Sequence, residues 1–115
     1  MSEPVIAEAT FRELQDAAGA DFVAELVGTF LEEAPGMIAE LRDALAGAQA
    51  ERFKRTAHSL KSNASTFGAL ELAARARALE LAGLNADPAQ DAAALDALEA
   101  TYAAAAAELK ELSHG

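Results

Sequence analysis

Apolar residues recur at three- and four-residue intervals along nearly the whole chain, and nowhere do they alternate with polar residues at every second position. That is the period of a helix's buried face, not a strand's. Breaks in the pattern divide it into one short helix and four longer ones. Thr10 with Glu13 forms a capping-box pattern, in which two side chains satisfy orphan backbone donors. It opens a short helix over residues 10–18 that Gly19 closes. Asp21 caps a second helix over 21–46, stopped by Gly47. A third covers 49–67 and ends at Gly68, and a fourth covers 69–83. Asp87 followed by Pro88, a cap and then a first-turn proline, starts a last helix over 88–112.

Pro35 lies inside the second helix, where proline removes a backbone donor and can break the ladder. The stripe Phe22, Leu26, Phe30, Ala34, Met37, Leu41 and Leu45 nevertheless runs across it, and at about 100° per residue Pro35 falls on the outward side. A kinked but continuous helix follows. The last helix carries its stripe on Leu95, Leu98, Tyr102, Ala105, Leu109 and Leu112. In the fourth, Leu72, Ala76 and Leu79 compete with Leu70, Ala74 and Leu81, and the pattern does not choose between them.

Short connections between long amphipathic helices favour antiparallel neighbours. The expected fold is all-α: an antiparallel up-down-up-down four-helix bundle with the short first helix as an accessory, forming a single domain over 1–115. A chain of 115 residues, 52% of them hydrophobic, can build one such core. With no cysteine, disulfides, thiolate catalysis and Cys-based metal sites are excluded. A net charge of −10 argues against nucleic acid and anionic membrane as partners. No run reaches the length of a membrane span, and Met1, Ser2, Glu3 and Pro4 do not begin a signal peptide, so a cytoplasmic location is expected.

The third helix is where the pattern becomes specific. Phe53, Ala57, Leu60, Ala64 and Phe67 form its buried stripe, and His58, about 140° from Phe53, points to solvent. Lys54, Arg55, Lys61, Ser62 and Ser65 surround it at helical neighbour positions. No acidic residue lies between Arg52 and Leu70, a local reversal of sign in an acidic protein. A lone exposed histidine is ordinarily only a polar surface residue. This patch would also suit phosphoryl transfer. A solvent-facing imidazole titrates at about 6.5, so its neutral, nucleophilic form is well populated near neutrality. A neighbouring cation can pair with phosphoryl oxygens, and small serines leave room for a partner's loop.

The segment Ala57-His58-Ser59-Leu60-Lys61-Ser62-Asn63-Ala64-Ser65-Thr66-Phe67-Gly68-Ala69 resembles the signature of histidine phosphotransfer (HPt) domains: His-x-Leu-Lys-Gly, then a second Gly six residues on. Phe30-Leu31-Glu32-Glu33-Ala34-Pro35, Leu72 and Leu79-Glu80 also resemble the family's flanking helices. The resemblance implies that His58 accepts phosphate through Nε2 and that Lys61 stabilises the phosphoryl group. It also implies that Gly68 ends the helix and allows tight approach of the next; with the neighbours Lys54, Arg55, Ser62 and Ser65 read from helical spacing, Gly68 completes the expected partner-binding set. Ser62 departs from the family's usual Gly and narrows the space for a partner loop. The implied function is a phosphorelay carrier, reversibly linking response-regulator receiver domains or a hybrid histidine kinase. It would be a monomer without cofactor, metal site or ATP site of its own, Mg²⁺ being held by the receiver.

Other readings are weaker. A binding-only adaptor would not need both His58 and Lys61. The phosphoacceptor region of a sensor kinase normally has an acidic residue after its histidine and a proline soon after; Ser59 follows here, and no proline lies between Pro35 and Pro88. A hydrolase would need a carboxylate near His58 to orient it, and none is close in sequence. His114 reads as a tail residue, and Glu32, Glu33, Asp91, Asp96 and Glu99 read as solvated helix faces. The scattered Gly19, Gly28, Gly36 and Gly47 form no phosphate loop.

Overall fold

The computed structural model describes residues 6–84 and 87–114, the last without its side chain. The readings made of Met1 to Pro4 and of the His114 side chain lie outside the described residues. Five helices follow in order: α1 (Glu8–Ala18), α2 (Ala20–Ala46), α3 (Ala50–Thr66), α4 (Leu70–Ala82) and α5 (Pro88–His114). Three-residue links join α2 to α3 and α3 to α4, which forces antiparallel neighbours. α5 closes the ring against both α4 and α2, while α1 packs on α2. The result is the all-α four-helix bundle with an accessory N-terminal helix. Its 44 Å long axis follows from the 27-residue helices α2 and α5, each about 40 Å long at 1.5 Å per residue.

The core is built from one row per helix. α3 buries Phe53, Ala57, Leu60 and Ala64, with Phe67 just beyond its end, which is the stripe its periodicity predicts. Phe30 on α2 stands 5.4 Å from the Phe67 ring and 6.1 Å from the Tyr102 ring, tying α2, α3 and α5 together. α2 runs unbroken through Pro35, whose ring is exposed. α4 buries Leu72, Ala73, Ala76 and Leu79, leaving Leu70 and Leu81 in solvent.

Several local expectations are corrected. α1 starts at Glu8 and not at Thr10, and no side chain caps it. Ile6 is fully buried and the Ala7 N–H donates to Gly68 O (2.8 Å), so tertiary anchoring starts the helix before the capping box can. α2 starts at Ala20, with Asp21 inside the first turn and making no cap bond. Val23 and Val27 are the residues buried here, and Phe22, one position away around the helix, is turned out to 51% exposure. α3 and α4 each begin one residue later and end one residue earlier than the sequence suggests. α5 continues to His114, and its Asp87 cap is as read, accepting from the N–H groups of Ala89 (3.1 Å) and Gln90 (3.3 Å). Asp91 is buried, not solvated; Asp96 and Glu99 pair with Arg42 at 2.9 and 2.6 Å.

The two hairpin turns solve the same problem differently. After α2, the Gln49 N–H donates to Ala44 O (2.8 Å), a bond that needs a left-handed residue between them. Ala48 takes that role, with φ 53°, while the neighbouring Gly47 has φ −92°. After α3, the Ala69 N–H donates to Ala64 O (3.0 Å) and the left-handed residue is Gly68, φ 79°. A Cβ on Gly68 would stand 2.9 Å from Ala7 O, so close approach of the N-terminal segment adds a second reason for glycine.

Candidate functional site around His58 and Glu80

Because α3 spends its apolar row on the core, its opposite face carries Lys54, Arg55, His58, Ser62 and Ser65 into solvent. The His58 side chain is 57% exposed at mid-helix. Lys61 stands at the edge of that face, half-buried toward α4. Six of the seven residues singled out from the sequence therefore share one region. Gly68 does not: it is buried beneath the N-terminal segment, so the partner contact expected of it is replaced by an architectural one.

The residue that sequence reasoning missed is Glu80, on α4. Its Oε2 lies 2.6 Å from His58 Nδ1, and its Oε1 accepts a hydrogen bond from Lys61 Nζ at 2.9 Å. One carboxylate thus clamps both key side chains of α3. It supplies the orienting acid that is absent near His58 in sequence. The Lys61 ammonium first, and then the His58 ring, hold the Glu80 carboxyl below its ordinary value of 4.5, against the opposing pull of partial burial. Glu80 is accordingly an anion at neutral pH. An anionic acceptor at Nδ1 fixes the ring with its proton on Nδ1 and leaves the Nε2 lone pair free.

A signal for Glu80 was present. His58 lies ten residues before Gly68 and Glu80 twelve after it, so a tight hairpin at Gly68 brings them level. The ambiguous apolar rows of α4 hid which side Glu80 would face.

Two open hollows flank the Glu80 bridge. One, of about 410 Å³, contains His58 with Glu51, Lys54, Arg55, Ser59 and Glu80. A larger one, of about 700 Å³, runs between α3 and α4 past Lys61, Ser65, Leu70, Arg77 and Leu81 and does not include His58. Of these two hollows, the smaller is the one that contains the exposed imidazole. Among the described residues, no cluster of three His, Cys, Asp or Glu side chains could hold a metal, and no helix is long and apolar enough to cross a membrane.

An exposed, oriented imidazole beside a carboxylate-held lysine on a four-helix bundle is an arrangement suited to carrying a phosphoryl group. The family model described as "Hpt domain" matches residues 25–108, well over half of the chain. The chain belongs to the Hpt family. Hpt domains serve phosphotransfer in two-component signalling, acting as phosphoryl carriers with receiver domains or kinases as partners. Comparison with curated proteins and with solved structures gives no match.

Proposed function

We propose that this Hpt protein is a cytoplasmic, monomeric phosphorelay carrier in which His58 accepts phosphate from a receiver-domain aspartyl phosphate and returns it to a second response regulator. Nε2 attacks phosphorus as the bond from phosphorus to the aspartate oxygen breaks. The aspartate leaves as a carboxylate, and a P–N bond forms. Nδ1 keeps its proton throughout, so the product ring carries a positive charge facing the Glu80 anion. This stabilises the phosphorylated state by the logic through which a buried acid stabilises a triad imidazolium. Lys61 holds Glu80 in place through its hydrogen bond to the second carboxylate oxygen, while Lys54, Arg55, Ser62 and Ser65 offer the surface on which the receiver rests. Transfer of this kind rests on positioning and charge stabilisation. The metal that shields the acyl phosphate belongs to the receiver, and this chain needs no cofactor.

The observation that carries this reading is the 2.6 Å contact from Glu80 to Nδ1 of an exposed histidine, which leaves Nε2 as the outward nucleophile. The test is incubation with a phosphorylated receiver, following acid-labile phosphate on the protein. Uptake by the native protein and none by His58→Gln is expected. Transfer that persists in His58→Gln would sink the proposal.

A further inference from the structure

We infer that Arg55, and not Lys61, is the side chain that grips the phosphoryl group once it is bonded to His58 Nε2. The inference rests on the carrier reading and assigns a binding role within it.

The first observation is direction. Nδ1 is committed to Glu80 Oε2, and the two ring nitrogens of an imidazole point away from one another. Nε2 therefore faces away from Glu80. The Lys61 ammonium is bonded to the other oxygen of that same carboxylate, so it sits on the side of the ring that the phosphoryl group leaves behind.

The second is the shape of the surface. His58 shares its hollow with Glu51, Lys54, Arg55, Ser59 and Glu80, a lining that does not include Lys61, which borders the separate hollow beyond the bridge. Helical side chains lean toward the N-terminus, which tilts the His58 ring over the turn bearing Lys54 and Arg55. A group on Nε2 enters the space these two cations border.

The third is which cation is at liberty. Lys61 is paired with Glu80. Lys54 lays its stem along the end of α4, with Cδ and Cε 3.8 Å from where a Gly83 Cβ would stand. Its ammonium makes no hydrogen bond or ion pair among the described residues, but its stem is laid toward α4 and, as a point charge, it offers no planar fork. Arg55, exposed and sharing the hollow, makes no hydrogen bond or ion pair among the described residues, not even with Glu51 one turn back. Its planar fork matches two phosphoryl oxygens at once, which an ammonium cannot do.

The test loads the protein with phosphoramidate, a small donor that transfers its phosphoryl group to Nε2 and releases ammonia. No receiver is present, so a docking role for Arg55 cannot contribute. The lifetime of the phosphohistidine and its ³¹P shift are measured for the native protein, Arg55→Ala, Arg55→Lys and Lys61→Ala. Arg55→Ala should shorten the lifetime roughly tenfold, as loss of a charged hydrogen bond implies, and should move the ³¹P signal. Arg55→Lys should recover only part of each. Lys61→Ala should act through Glu80, chiefly moving the ¹⁵N signals of the ring and shortening the lifetime less. A native protein that is loaded while Arg55→Ala keeps its lifetime and ³¹P shift, or while Lys61→Ala shortens the lifetime more, overturns this assignment alone. A native protein that takes up no phosphate from this donor or from a phosphorylated receiver overturns the carrier reading with it.

Discussion

Glu80 performs two electrical tasks with its two oxygens, and both depend on its charge. Replacing it by glutamine keeps an acceptor for the Nδ1 proton but removes the anion that faces the charged product ring. Glu80→Gln should slow phosphoryl uptake on the order of tenfold, the difference between a charged and a neutral hydrogen bond. Stability should follow pH in a definite direction. The folded protein holds the Glu80 carboxyl below its ordinary value of 4.5, so the ionised form is favoured by folding. The advantage of the native protein over Glu80→Gln is therefore complete above pH 4.5. It fades as pH falls through the lowered folded value, because protonation then dissolves the bridge. Melting temperatures of the two proteins across an acid series measure this. A gap that widened on acidification would contradict it.

At the scale of elements, the two turns make opposite predictions. Gly68 combines a left-handed backbone with a close approach to Ala7 O, so Gly68→Ala should destabilise by about 2 kcal/mol or more. Ala48 occupies a left-handed position that glycine fits better, and Ala48→Gly should stabilise by roughly 0.5 kcal/mol after the entropy of glycine is subtracted. Denaturant midpoints at constant slope decide both. These turns also show where sequence reading reaches and where it stops. A glycine near a helix end was readable at Gly47, yet the residue that bends the chain is Ala48, because the hydrogen bond from Gln49 to Ala44 sets the position and not the residue type. The row Phe53, Ala57, Leu60, Ala64 and Phe67 was readable because α3 has apolar residues on one side only. α4 has them on both, so neither its buried face nor the aim of Glu80 could be drawn from periodicity. His58 and Lys61 were visible in the pattern of one helix, whereas their clamp belongs to a contact between two.

Over the whole molecule, charge is distributed against its own total. A chain of net charge −10 gathers Arg52, Lys54, Arg55 and Lys61 along one helix, with no acid of its own between positions 52 and 70. An anionic phosphorylated partner is repelled by most of the surface and attracted by this strip, which favours approach in the productive orientation. Transfer from a limiting phosphorylated receiver should slow several-fold as ionic strength rises from about 0.01 M, where the screening length is about 30 Å, to about 1 M, where it is about 3 Å. The loss should fall on association and not on the step measured at saturating partner. A rate that rose with salt would mean that the acidic surface dominates the encounter.

The clamp by Glu80 carries one more consequence. Its two ends sit on successive arms of a hairpin, 22 residues apart in sequence, so the reactive ring is oriented only when both arms are docked. A peptide of α3 alone would contain both His58 and Lys61 and still present an undirected imidazole. On the proposed reading, competence to carry phosphate arrives together with completion of the fold, and a half-folded chain should be silent in the relay without any separate device to keep it so.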